Sequence, residues 1–185
     1  RPDHRRRGVL RTMMGRLLQD AVDAGEPVAA LFASEGTIYG RFGFGPAAPA
    51  HGLRIRRDAL ATIDGDPGLV QLVDGDRARE LFPPIAEAHG RMRPGALQRD
   101  DAWWSLWLDH HRDKSADGEG GARWHAVVPD RGYAAFRGTD GSWADRRPDG
   151  TLKVEELMAV DDRAAAALWR FLGSVDLVTT VSAPY

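Results

Sequence analysis

The run Arg5-Arg6-Arg7-Gly8 passes directly into an apolar helical pattern that starts at Val9. A glycine-containing turn at a helix start can aim backbone N–H groups at a ligand. The aligned peptide dipoles and the arginine charges both favour an anion there, so the segment predicts a phosphate-binding loop. Glycine at position 8 suits such a loop because the backbone must come within hydrogen-bond range of the ligand. A loop of this kind normally hangs from the end of a strand. No strand-like sequence precedes it here, so the first strand is inferred and the chain is expected to begin inside a domain.

The helix itself is well patterned. Val9, Met13, Leu17 and Ala21 repeat at every fourth position, and Leu10, Met14, Leu18 and Val22 form the adjoining row, which together make one wide apolar stripe. Gly25 is placed to end the helix in a left-handed conformation. Pro27–Ala33 reads as a short, largely buried strand, and Leu53 and Ile55 alternate with Arg54 and Arg56 as in a further strand. The order strand, phosphate loop, helix, strand is an α/β signature.

The loop-like run Asp64-Gly65-Asp66-Pro67-Gly68 marks an expected boundary between domains at 1–58 and 66–185. Beyond it, Leu69–Val73 is a strand candidate. Asp76 is a candidate cap for a helix through Ala78 and Leu81 toward Ala88, interrupted at Pro83-Pro84. A second helix is expected from about Asp100 to Arg112. Strands follow at Arg123–Val128, Tyr133–Arg137 and Leu152–Val160, then a helix from Arg163 to Leu172 and a last apolar stretch at Leu177–Val181. Pro2–Leu10 can also be laid over Val160–Leu168, with Gly8 against Ala166. A duplicated unit whose second copy lost its phosphate loop and a chance likeness of two strand-to-helix junctions both accommodate these nine residues.

Composition excludes several classes. The 185 residues are 43% hydrophobic with a formal net charge of −2, which argues against a general nucleic-acid binder. Cysteine is absent, so disulfides and cysteine-ligated metals are ruled out, and the chain is compatible with the cytoplasm. No apolar run approaches the roughly 18–20 residues that span a bilayer, so no membrane partner is expected. Lysine fills only Lys114 and Lys153 of the 25 Lys+Arg positions, a bias of GC-rich genomes and so a pointer to a bacterial source.

Arg5-x-x-Gly8 is a weak signal by itself. A second segment beginning at Ala33 is far more specific: Ala33-Ser34-Glu35-Gly36-Thr37-Ile38-Tyr39-Gly40-Arg41-Phe42-Gly43-Phe44-Gly45. With both segments in this order and spacing, the chain resembles the GNAT superfamily of acetyl-CoA-dependent N-acyltransferases, and more closely its Eis-type (enhanced intracellular survival) subfamily, known for multi-site acetylation of aminoglycosides. The resemblance continues more loosely through residues 60–185. It implies a GNAT-like mixed sheet with flanking helices, in which part of a catalytic domain is followed by a degenerate second GNAT-like domain. It also implies acetyl-CoA as co-substrate with no metal, an amine-bearing small molecule or peptide as acceptor, and assembly into a homo-oligomer, a hexamer.

By the same resemblance, Arg5 and Gly8 match the loop that cradles the CoA pyrophosphate, with Leu10 standing where the family has Gly or Ala. Backbone amides of Arg6, Gly8 and Val9 would donate to the phosphates, and Ser34 matches a position that touches the cofactor near its reacting end. Tyr39 matches the general acid that protonates the departing thiolate. A placed O–H serves that need, because a thiolate is expelled more easily when a proton reaches the sulfur. Read by composition alone, Tyr39 is a core or strand aromatic; its flanking motif is what turns it into a catalytic candidate. In the Eis type the base is the carboxylate that ends the full-length chain, and the acidic amine pocket includes residues upstream of this one, so neither is assigned here. Lacking those parts, these 185 residues alone are expected to be catalytically weak. A noncatalytic acyl-CoA-binding or assembly module with the same fold is the alternative.

Other candidates carry less. Asp109-His110-His111 suggests a metal, but adjacent histidines on a helix point about 100° apart and do not share one ion easily. Trp103, Trp104 and Trp107 are expected to pack in the second domain or at a subunit contact. His51, His89 and His125 have no partner pattern, and Asp145–Asp149 reads as a charged turn.

Overall fold

The computed structural model describes residues 7–33, 35–47, 51–109, 121–139 and 149–183. The chain divides into two compact units, Arg1–Pro49 and Ala50–Tyr185.

In the first unit, helix α1 spans Val9–Asp23, as its apolar spacing predicts. Gly25 ends it with φ +71°. The Gly25 N–H donates to the Val22 carbonyl and the Glu26 N–H to the Ala21 carbonyl, the paired closure that a left-handed glycine permits. Only Met14 of the apolar stripe is buried within this chain; Met13 and Leu17 remain more than half exposed. Pro27–Ala33 is not a strand: it runs without regular structure, and Phe32 is fully exposed. An isolated extended segment cannot satisfy its own backbone groups, and no described residue pairs with it. Helix α2 (Gly36–Tyr39) and a single 3₁₀ turn (Gly40–Phe42) follow.

The second unit is built on a six-stranded mixed sheet in the order β1-β6-β5-β4-β3-β2. The strands are β1 (Leu53–Arg56), β2 (Gln71–Val73), β3 (Arg123–Val128), β4 (Gly132–Thr139), β5 (Gly150–Ala159) and β6 (Val178–Ala183). All neighbours are antiparallel except β5 and β6, which are joined in parallel through α6 (Asp162–Leu172). The strand at 53–56, grouped above with the first domain, pairs with β6 from Leu53↔Ala183 to Arg56↔Thr180 and therefore belongs to this sheet.

Alternation along the strands divides the core between two faces. Ala126, Val128, Ala134, Phe136, Leu152 and Val154 face α6, which presents Ala164, Ala167, Leu168 and Leu172, spaced for one helical face. Leu60, from the short helix α3 (Arg57–Leu60), closes that cluster. Val127, Tyr133 and Ala135 face the other way, against Ala78, Phe82 and Ile85 of α4 (Gly75–Arg91) and Trp104 and Leu108 of α5 (Asp101–Asp109). Phe82 stacks on Tyr133 with ring centroids 4.0 Å apart.

Two expectations about α4 change. Its cap is Asp74, whose carboxylate accepts from the Arg77 N–H, rather than Asp76. Pro83 and Pro84 lie inside a continuous helix. Each removes one N–H, but Phe82 and Ile85 on either side of the pair are buried, and tertiary packing holds the segment helical.

The glycine-rich turn at 64–68 is packed within the second unit. A Cβ at Gly65 would stand 2.4 Å from the Ala166 carbonyl oxygen of α6. Gly65→Ala is therefore expected to lower stability by about 1–3 kcal/mol, read by urea denaturation, because backbone on backbone leaves no flexible atom to yield. A loss under about 0.5 kcal/mol would show that the turn shifts freely, as ordinary surface substitutions do.

Candidate functional site

Helix α1 opens on a left-handed glycine: Gly8 has φ +77° and ψ 2°, and an added Cβ there would meet nothing within 4 Å. Its position is set by backbone conformation rather than by crowding. Among the described residues no side chain caps this helix, and its first turn contains no acid. The first intrahelical bond runs from the Thr12 N–H to the Gly8 carbonyl, so the N–H groups of the opening turn have no partner within the helix.

The other described helices of similar length are closed differently. Asp74 caps α4, Asp100 accepts from the Trp103 N–H at the start of α5, and Asp161 accepts from the Ala164 N–H at the start of α6. Among the described residues, α1 therefore presents an open, electropositive helix start where those helices present a carboxylate. Val9 is the first helical residue. Leu10, the departure from the family pattern, is 40% exposed within this chain. Arg5, Arg6 and Ser34 lie outside the described residues.

Tyr39 is the last residue of α2, half-buried, at the entry to the 3₁₀ turn. Gly43 ends that turn with φ +89°, a left-handed conformation that reverses the chain. The reversal brings Phe44 back against Tyr39: the rings meet edge to face with centroids 6.4 Å apart, and the Phe44 N–H lies 3.4 Å from the Tyr39 carbonyl. Arg41 Nε donates to the Ile38 carbonyl at 2.9 Å, which turns its guanidinium back on the helix. Tyr39 is thus held between a helical turn and an aromatic edge. Phe44 is the brace of this tyrosine. The signal was present in the Gly-Phe-Gly spacing, which provides a left-handed residue immediately before it.

The second unit answers the comparison of Pro2–Leu10 with Val160–Leu168. The two helix starts are built on different residues: Gly8 is the residue before α1 and Asp161 the residue before α6. Aligned by structure, Gly8 falls opposite Asp161 and not Ala166. Asp161 lends one oxygen to the Ala164 N–H, and its other oxygen accepts from Arg131 at 2.6 and 2.8 Å. Those bonds hold its carboxyl below the usual carboxylate range.

The remaining candidates resolve into packing. Trp103 and Trp107 stack at 5.7 Å, with Trp104 edge-on to both. Asp109 pairs with Arg79 at 2.7 Å, and His110 and His111 lie outside the described residues, as do residues 145–148. His125 is 9% exposed against Phe82. Burial, with Arg123 close by, holds its imidazole down to about 4, so it is neutral near pH 7. No group of three or more His, Cys, Asp or Glu among the described residues is arranged to hold a metal. No described helix is long and apolar enough to cross a membrane.

Comparison with known proteins decides the family. An acetyltransferase (GNAT) domain family matches residues 95–185, and a second family of the same description matches residues 1–47. This chain belongs to the GNAT acetyltransferases. Within that superfamily it is 40% identical over 187 residues to the N-acetyltransferase Eis of Mycobacterium tuberculosis, a match covering 98% of this chain and 44% of the relative. It is 35% identical over 206 residues to an uncharacterized N-acetyltransferase of Streptomyces griseus, covering 100% of this chain and 47% of the relative. The crystal structure of Eis1 from Mycobacterium abscessus superposes with a TM-score of 0.71 at 32% identity, covering 99% of this chain and 45% of that one. The GNAT chain thus spans a little under half the length of these relatives. One family match falls in each compact unit, and the mixed sheet flanked by helices agrees with the fold the sequence implies.

Proposed function

We propose that the protein is an acetyl-CoA-dependent N-acetyltransferase that transfers acetyl directly to a primary amine. The observation that carries this reading is the uncapped start of α1 after a left-handed Gly8, which leaves N–H donors and a positive dipole end for a pyrophosphate. The chemistry of the donors fits the group: backbone amides at Gly8 and Val9 would hold the phosphates, joined by the amide of Arg6, the charge of Arg5 and the contact of Ser34.

Acetyl-CoA supplies the activated acetyl thioester. The acceptor nitrogen adds to its carbonyl carbon, and the C–S bond breaks as the tetrahedral adduct collapses. Tyr39 then delivers its hydroxyl proton to the departing sulfur, while the nitrogen gives up its own proton to a base. Catalysis rests first on placing amine and thioester together and next on that proton.

Aminoglycosides are the acceptors that the Eis-type resemblance of Ile38–Gly45 supports, with small amines or peptides as the wider class. The same resemblance supports a homo-oligomer, a hexamer, and the composition supports work in the cytoplasm without nucleic-acid or membrane partners. It also supports reading the two units as a catalytic part and a GNAT-like partner domain.

Two measurements on the native protein test this. Calorimetry with acetyl-CoA is expected to show saturable binding that Gly8→Asp weakens about tenfold or more, since a carboxylate then sits at the helix start. Thiol release from acetyl-CoA is expected to depend on added amine. Binding without amine-dependent release would establish a noncatalytic acyl-CoA module instead, and no binding would remove the proposal.

A further inference from the structure

Helix α2 is four residues long, and a helix of one turn does not hold its shape in water unaided. The chain that follows supplies the support. The carbonyls of Ile38, Tyr39 and Gly40 each accept a bond from the returning segment: from Arg41 Nε at 2.9 Å, the Phe44 N–H at 3.4 Å and the Gly43 N–H at 3.2 Å. Gly43 makes the return possible, because its φ of +89° lies in the left-handed region that favours glycine. The segment from Ile38 to Phe44 thus closes on itself and fixes the backbone at Tyr39.

A fixed backbone does not fix a tyrosine hydroxyl. The phenol sits at the far end of two side-chain torsions, and a change of rotamer carries it out of hydrogen-bond range of any given acceptor. The Phe44 ring bears on those torsions. It meets Tyr39 with 6.4 Å between centroids and 76° between planes, the edge-to-face arrangement in which such rings attract. Both side chains are half-buried. The pair is built from residues of one turn, so it needs no distant partner to form.

A proton donor has to reach within about 2.6–3.2 Å of its acceptor, and a misplacement of about 1 Å costs on the order of 100-fold in rate. Resting on the reading of Tyr39 as the acid, we propose that Phe44 is a positioning residue of the acetyl transfer: its ring holds the Tyr39 phenol in the rotamer that aims the hydroxyl at the departing sulfur. The proton still passes from the Tyr39 oxygen to sulfur, and Phe44 exchanges nothing. Gly43 contributes one step further back, by turning the chain so that residue 44 faces the tyrosine.

Steady-state thiol release by the native protein from acetyl-CoA, with kanamycin as the amine, tests this through a double-mutant cycle. Phe44→Leu keeps an apolar side chain but loses the ring, and is expected to lower kcat about tenfold or more while acetyl-CoA affinity stays within about threefold. Phe44→Tyr keeps a ring there and is expected to retain most of the rate that Phe44→Leu loses. Added to Tyr39→Phe, Phe44→Leu is expected to cost no more than about twofold further, because no acid is left to position. The proposal is overturned if Phe44→Leu stays within about threefold of the wild-type kcat, or if it costs the same factor in both backgrounds. Affinity lost in step with kcat, or Phe44→Tyr as slow as Phe44→Leu, would make Phe44 a packing residue and overturn it equally. The two readings fail differently. An unchanged kcat in Tyr39→Phe, or a wild type without amine-dependent turnover, removes the acid and this proposal with it. A slow Tyr39→Phe beside a normal Phe44→Leu removes this proposal alone.

Discussion

Tyr39→Phe is expected to lower kcat of the native protein by about 100-fold or more while leaving acetyl-CoA affinity within about threefold, the signature of an interaction used in the transition state. The substitution removes one oxygen and keeps the ring, so the edge contact with Phe44 at 6.4 Å is retained and the turn is left undisturbed. The half-buried ring would still pack, and any loss would report the proton. A second arm separates chemistry from packing. An acetyl thioester of a more acidic thiol needs less protonation as its C–S bond breaks, and should recover most of the lost rate in the variant while gaining little in the wild type. If Tyr39→Phe lowers kcat less than about threefold, or if the acidic thioester rescues nothing, Tyr39 is a structural aromatic and the proton comes from elsewhere.

Much of this arrangement can be read in the sequence because it depends on short-range rules. The α1 pattern, its closure at Gly25 and the alternating strands β3 to β6 follow from apolar period and turn chemistry acting over a few residues. The failures arise where distant partners decide. Pro27–Ala33 has a strand composition, but a strand exists only with a neighbour to pair with. Pro83 and Pro84 carry a local signal to stop, overridden by the packing of Phe82 and Ile85 against the sheet. The likeness of Pro2–Leu10 to Val160–Leu168 was set in a register that the caps do not share, because nine letters do not reveal which residue opens the helix. Likewise, the sequence does not reveal what Phe44 faces, and only the reversal at Gly43 shows it.

The consecutive glutamates of β5 illustrate the same limit, and they carry the largest expected stability effect. Strict alternation would turn Glu155 and Glu156 to opposite faces of the sheet. The register shifts at Ala135/Phe136, where Ala135 lies opposite Glu156 and Phe136 opposite Val154, so Glu155 is the extra residue of a bulge. Both carboxylates then face α4 and α5. Glu156 accepts two bonds from Arg99, at 2.7 and 2.9 Å, and one from the Tyr133 hydroxyl at 2.6 Å. Burial and Glu156 push that phenol well above its usual range. Glu155 lies between two guanidinium groups: it accepts from Arg137 Nε at 2.6 Å and sits 2.8 Å from Arg123 Nε, an ion pair without an aligned hydrogen bond. Arg123 also covers the Trp107 ring at 3.7 Å, and burial holds its guanidinium down to about 10.

The three side chains Arg123, Arg137 and Glu155 are 5%, 6% and 14% exposed, so water cannot take over for a missing partner. Glu155→Ala is therefore expected to destabilise the second unit by about 3–5 kcal/mol, since it removes the carboxylate that lies between two buried guanidinium groups. Glu80→Ala breaks the exposed Arg77–Glu80 pair, whose side chains are 58% and 63% exposed, and should cost under about 1 kcal/mol. Urea denaturation with a common m-value compares the two directly. Replacing Arg123, Glu155 and Arg137 together by apolar residues of similar volume should recover most of the loss, because the penalty belongs to the uncompensated charge more than to the missing attraction. Equal effects for Glu155→Ala and Glu80→Ala would mean that water enters beneath α5 and that the bulge does not seal the charges it gathers.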